Sequence, residues 1–120
     1  MAHVLIASTN AAVVTGLEEQ LRSHDFSVIT SNDAETVMSR LSNKDATVAV
    51  IGEEIDCQPG FRVSTWVKDQ GHGSAVIIMG EDDQPVAAID ALDAGADDYI
   101  SNRTDLRELV CRIKALLRRF

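Results

Sequence analysis

Ala75-Val76-Ile77-Ile78-Met79 and, upstream of it, Val48-Ala49-Val50-Ile51 are apolar at every position. A strand with one face in water alternates apolar and polar residues. An unbroken apolar run of four or five residues instead fits a strand covered on both faces, as in a parallel sheet. Three further runs have strand length: Val4–Ala7, Phe26–Ile29 and Tyr99–Ile100. Helical patterns separate them. Val14, Leu17 and Leu21 recur at helical spacing, as do Val37, Met38 and Leu41 after Asn32, whose side chain is expected to cap that helix with Glu35 three residues on. Phe61–Lys68 reads as a weaker third helix, stopped by Gly71 and Gly73. A fourth is expected from Pro85, a good first-turn residue, to Ala94 before Gly95. In the fifth, Asp105 and Glu108 have capping-box spacing, and Leu106, Leu109, Val110, Ile113, Leu116 and Leu117 make one apolar stripe.

The order is strand then helix, five times over. Right-handed crossovers turn that order into an α/β fold, a doubly wound, five-stranded parallel sheet with helices on both faces, (βα)5 and flavodoxin-like. The working site of such a fold lies beyond the carboxyl ends of the strands. The residues to inspect are therefore Ser8-Thr9-Asn10, Ser31, Gly52-Glu53-Glu54, Gly80-Glu81-Asp82 and Ser101-Asn102-Arg103.

Composition narrows the function. The 120 residues suit a single domain, residues 1–120, able to bury roughly two-thirds of its unfolded surface. A net charge of −8 disfavours nucleic acid as a direct partner, because phosphate binding needs surplus Lys and Arg. Arg118-Arg119 reads first as charge at a helix C-terminus. Cys57 and Cys111 lack CxxC spacing, and two unpaired thiols are expected. No apolar stretch approaches the roughly 20 residues of a membrane helix. No membrane association and a cytoplasmic location are expected. His3, His24 and His72 share no metal-ligand spacing and read as surface histidines, while Trp66 and Phe61 read as core or edge packing.

The stretch Ala91-Leu92-Asp93-Ala94-Gly95-Ala96-Asp97-Asp98-Tyr99-Ile100 resembles the "ALEAGADDYL" pattern of response-regulator (CheY-like) receiver domains, the signalling modules of two-component systems. The run from Asp105 to Arg119 resembles the last helix of receivers joined to winged-helix DNA-binding domains, the OmpR type. His3-Val4-Leu5-Ile6 and Gly60-Phe61 also fall where the family has such residues. The resemblance covers the whole chain and is most specific in its last third.

The resemblance also says what the working positions should hold, and the chain departs from nearly all of them. Two magnesium-binding acids are expected after the first strand, where the chain has Ser8 and Thr9. The phosphoacceptor aspartate is expected where Gly52 stands, and the switch hydroxyl where Gly80 stands. Asn102 replaces the phosphate-pairing lysine, and Arg103 the proline after it. Only the switch aromatic, Tyr99, matches. Magnesium prefers carboxylate oxygens, and Ser8 and Thr9 offer neutral hydroxyls. Phosphoryl transfer to the protein needs a carboxylate nucleophile, which glycine lacks. Three acids and one ammonium are absent together. Losing one sign alone would leave a buried unpaired charge, at roughly 3–5 kcal/mol. The expectation is a degenerate, or pseudo-, receiver: no enzyme, no cofactor and no metal, working by binding another signalling protein or a second copy of itself.

The resemblance implies that such binding uses the face of the fourth helix, fifth strand and fifth helix. Asp97, Asp98, Arg107 and Arg112 could supply its charges, while Asp90 stands where the family has a basic residue. The alternative reading of these charges is a solvated face. Two other functions are open to this sequence. Glu53, Glu54 and Asp56, with Glu81, Asp82 and Asp83, could bind a divalent ion or imitate a phosphate charge, against the plainer reading of exposed loop acids. Ser8-Thr9-Asn10 could bind a small anionic ligand, against the plainer reading of a helix cap. In the family the switch ring moves between buried and exposed positions. The space beside Gly80 predicts that Tyr99 is held inward.

Overall fold

Along each strand of the computed structural model, successive residues point into different halves of the core. The structure describes residues 3–55, 58–70, 73–81 and 85–119. Its main elements are β1 (His3–Ala7), α1 (Ala11–Ser23), β2 (Ser27–Ser31), α2 (Ala34–Ser42), β3 (Val48–Gly52), α3 (Phe61–Gln70), β4 (Ala75–Gly80), α4 (Pro85–Asp93), β5 (Asp98–Ser101) and α5 (Leu106–Leu117). Leu5, Ala49, Ile51, Val76 and Ile78 join one buried cluster with Val37, Leu41, Val63, Val67 and Ala91 of α2, α3 and α4. Val4, Ile6, Val48, Val50, Ile77 and Met79 join the other, with Leu17 and Leu21 of α1 and Leu109, Val110 and Ile113 of α5. This is why β3 and β4 are apolar throughout. Each has helices on both faces, and every residue of both strands is buried.

The five strands are parallel in the order β2-β1-β3-β4-β5. The order reverses between β1 and β3, which opens a crevice at their carboxyl ends. The five expected strands and five helices are all present, with ends moved by one or two residues. An unexpected antiparallel ribbon follows β3, pairing Glu54–Ile55 with Gln58–Pro59. Gly60 closes it, donating its N–H to the Glu53 carbonyl at 2.7 Å. A Cβ on Gly60 would overlap the Gly52 carbonyl, so only glycine lets the ribbon lie this close to the end of β3.

Two capping expectations need correction. Asp33, not Asn32, caps α2: its carboxylate accepts from the Thr36 amide at 2.7 Å and the Thr36 hydroxyl at 2.8 Å. Asn32 is one residue too early, and Glu35 then falls short of the reciprocal position. Asp105 does cap α5, accepting from the Arg107 amide at 2.9 Å. Glu108 does not complete a box. It bonds Arg112 one turn later at 3.3 Å instead. The Arg107 guanidinium, 2.7 Å from Asp105, holds that exposed carboxyl down at about 2.

Candidate functional site

The ends of β1, β3, β4 and β5 converge on one cleft of about 300 Å³. Its lining contains Ser8 and Thr9 after β1, Gly52 at the end of β3, Gly80 at the end of β4 and Asn102 after β5. The five positions singled out in sequence are therefore brought together, with Asn10, Glu53, Met79 and Glu81 beside them. Backbone bonds fix the walls. The Glu53 N–H donates to the Met79 carbonyl at 3.1 Å, and the Asn102 N–H to the Gly80 carbonyl at 2.6 Å.

Ser8-Thr9-Asn10 is engaged in starting α1. Asn10 is the N-cap, its side-chain oxygen accepting from the Val13 amide at 3.2 Å, and the Ser8 hydroxyl accepts from the Asn10 amide at 3.1 Å. These atoms satisfy amide groups that a helix start leaves without partners.

The donor set does not suit the magnesium ion that the family resemblance implies. Ser8 and Thr9 bring hydroxyls, Gly52 brings no side chain, and the lining carboxylates are Glu53 and Glu81. One Glu53 oxygen already accepts the Tyr99 hydroxyl at 2.6 Å. Among the described residues no three His, Cys, Asp or Glu side chains gather around a point a metal could occupy. Of the loop acids, Glu53 and Glu81 stand on the cleft. Asp56, Asp82, Asp83 and the side chain of Glu54 lie outside the described residues.

Tyr99 is half-buried and packs against the cluster under α2, α3 and α4. Its hydroxyl reaches the space above Gly80, where an added Cβ would overlap both the Tyr99 and Glu53 oxygens. The ring is thus half-buried beside Gly80, with its hydroxyl at the mouth of the cleft. Glu53 is the partner that sequence reasoning did not name for it. The two residues are 46 positions apart, and no local spacing announces the contact.

The face of α4, β5 and α5 is less available than its composition suggests. Asp97 turns back into its own fold, accepting from the Val76 amide at 2.8 Å. Its carboxylate thus serves the start of β4, although the residue as a whole is exposed. Asp98 pairs with Arg112 of the same chain at 3.0 Å, and Arg107 with Asp105. Asp90 is exposed on α4. The large apolar side chains Ile89 and Leu92, on the same helix, are 55% and 48% exposed. Of the remaining residues, His3 and His24 are exposed, Trp66 packs at the edge of the core and Cys111 is an exposed free thiol. Cys57, His72 and the Phe61 side chain lie outside the described residues. Among the described residues no helix is long and apolar enough to cross a membrane.

The family model described as "Response regulator receiver domain" matches residues 4–114. Among curated proteins, the transcriptional regulatory protein PrrA of Mycobacterium tuberculosis is 32% identical over 97% of this chain and 50% of its own length. The alkaline phosphatase synthesis transcriptional regulatory protein PhoP of Bacillus subtilis is 25% identical over 97% of this chain and 48% of its own. The chain thus spans about half the length of these relatives. Among solved structures, the receiver domain of Francisella response regulator 1452 superposes with a TM-score of 0.91 at 20% identity, covering 99% of this chain and 98% of that one. The beryllofluoride-activated RstA receiver domain of Klebsiella pneumoniae gives 0.87 at 18% identity, covering 97% and 98%.

Proposed function

This chain belongs to the response regulator receiver domain family, and from that premise we propose that it is a pseudo-receiver, a regulatory module that binds protein partners without being phosphorylated. The observation that carries this reading is the lining of the cleft. At the end of β3, where acyl phosphate chemistry needs a carboxylate, the chain presents Gly52. Around it stand Ser8, Thr9, Gly80 and Asn102, which offer no ammonium to balance phosphoryl charge and no pair of acids to hold a cation. On this reading the domain is not an enzyme and uses no cofactor, and its role is exercised in the cytoplasm.

The partner is another signalling protein or a second copy of the chain, met through α4, β5 and α5. Ile89 and Leu92 favour that face, because large apolar side chains exposed together on one helix often mark association sites. The net charge of −8 argues against direct binding of nucleic acid by this domain.

The test is an NMR titration with magnesium and beryllofluoride, a mimic of the acyl phosphate. Amide signals of Gly52, Gly80 and Asn102 are expected to stay unmoved. Saturable shifts there would favour a second reading, in which Glu53 and Glu81, both on the cleft, have rebuilt an ion and phosphate site.

A further inference from the structure

We propose that the Glu53 carboxylate is a built-in latch, holding Tyr99 in its inward position across Gly80 and so fixing the surface beside α4 without any modification of the chain. The proposal rests on the reading above that the cleft takes no phosphoryl group, and it supplies what that reading lacks, a means of setting the conformation.

Three observations support it. First, the main chain of Glu53 is pinned from both sides, by its N–H to the Met79 carbonyl at 3.1 Å and by the Gly60 N–H on its own carbonyl at 2.7 Å. The side chain therefore starts from a fixed point at the mouth of the cleft. Second, the Tyr99 hydroxyl donates to the Glu53 Oε1 at 2.6 Å, a separation typical of a hydrogen bond to a charged oxygen, which is stronger than a bond between neutral groups. Third, the place where the two oxygens meet exists only because residue 80 is glycine, since a Cβ there would overlap both. A residue with a side chain at position 80 would occupy the seat of the latch. Glycine leaves it open to an anion that the chain itself provides.

The output of the latch follows from where Tyr99 sits. On β5 it pairs in register with Ile78 of β4, and its ring packs into the cluster that includes Ala91 of α4 and Ala96 just beyond that helix. With the ring inward, the surface where α4 packs beside β5 has one shape. With the ring outward, a phenol is added to the outer surface and the space over Gly80 is vacated.

Tyr99 is the only tyrosine in the chain, so biosynthetic incorporation of 3-fluorotyrosine gives one fluorine signal. The test compares that signal, and its broadening by a soluble gadolinium chelate, in the unmodified chain, in Glu53→Ala and in Gly80→Ser, with and without magnesium and beryllofluoride. Glu53 is exposed and its replacement leaves the core intact, and far-UV circular dichroism verifies folding. The expected result is a sharp, protected signal in the unmodified chain. In Glu53→Ala it should move toward free fluorotyrosine and become accessible, with the outward fraction rising about tenfold, as loss of one charged hydrogen bond implies. Gly80→Ser, by blocking the seat, should give the same outward signal. A Glu53→Ala signal with unchanged position and protection overturns the latch. A response of the unmodified chain to beryllofluoride overturns the reading of phosphorylation independence, while the Glu53→Ala comparison still decides the latch.

Discussion

Gly60 and Gly80 show how much of this site depends on side chains that are not there. Each lies where a Cβ would strike a neighbour, but the neighbours differ. At Gly80 the obstacles are side-chain oxygens at the exposed cleft mouth, which can swing away. At Gly60 the obstacle is the Gly52 carbonyl, part of a buried central strand. Gly60→Ala is therefore expected to destabilise the domain by about 1–3 kcal/mol, the usual range for forcing a methyl group into a filled space. A lower urea midpoint with unchanged slope would report it. An unchanged midpoint would mean that the ribbon after β3 can lift away freely. The residues lining the cleft were legible in sequence, because they stand immediately after strands that the apolar runs had already located. The engagements of Glu53 with Tyr99 and of Asp97 with the Val76 amide were not. Both are tertiary bonds between distant segments, and a charged side chain in sequence carries no sign of whether it meets solvent, a partner or its own backbone.

Among the elements, α5 was the plainest in sequence and is built as its stripe implied. Leu109, Val110, Ile113 and Leu116 are buried, and Leu106 and Leu117 pack at the edge of the same cluster. Ile113 is fully buried against the sheet face shared with α1, so Ile113→Ala is expected to cost about 2–5 kcal/mol, read from urea unfolding. A loss under 1 kcal/mol would mean that α1 and α5 collapse into the space. The caps were harder to read than the stripes. Asn32 and Asp33 are neighbours of nearly equal capping ability, and which one serves depends on where the chain leaves β2. The ribbon at Glu54–Ile55 and Gln58–Pro59 had no periodic signal at all, since two residues per strand are too few to show one.

At the scale of the whole molecule, the fold was written in the contrast between apolar central strands and mixed outer ones. Every residue of β3 and β4 is buried, whereas the edge strand β2 has none that is fully buried. The same economy leaves Ile89 and Leu92 outside both core clusters. Leu92→Asp is accordingly expected to change unfolding free energy by no more than about 0.5 kcal/mol, as for other surface positions. A loss of 2 kcal/mol or more in the same urea measurement would show that α4 needs this side chain to hold its place. The pairing of Arg112 with Asp98 within one chain has a consequence of its own. An incoming acidic group that seeks Arg112 must displace Asp98 or Glu108, both of which already pair with it. Association there is an exchange of one ion pair for another, with no net gain in the number of pairs. Such an exchange responds weakly to ionic strength and discriminates poorly between acidic competitors, which leaves the choice of partner to shape and to the apolar ridge of α4.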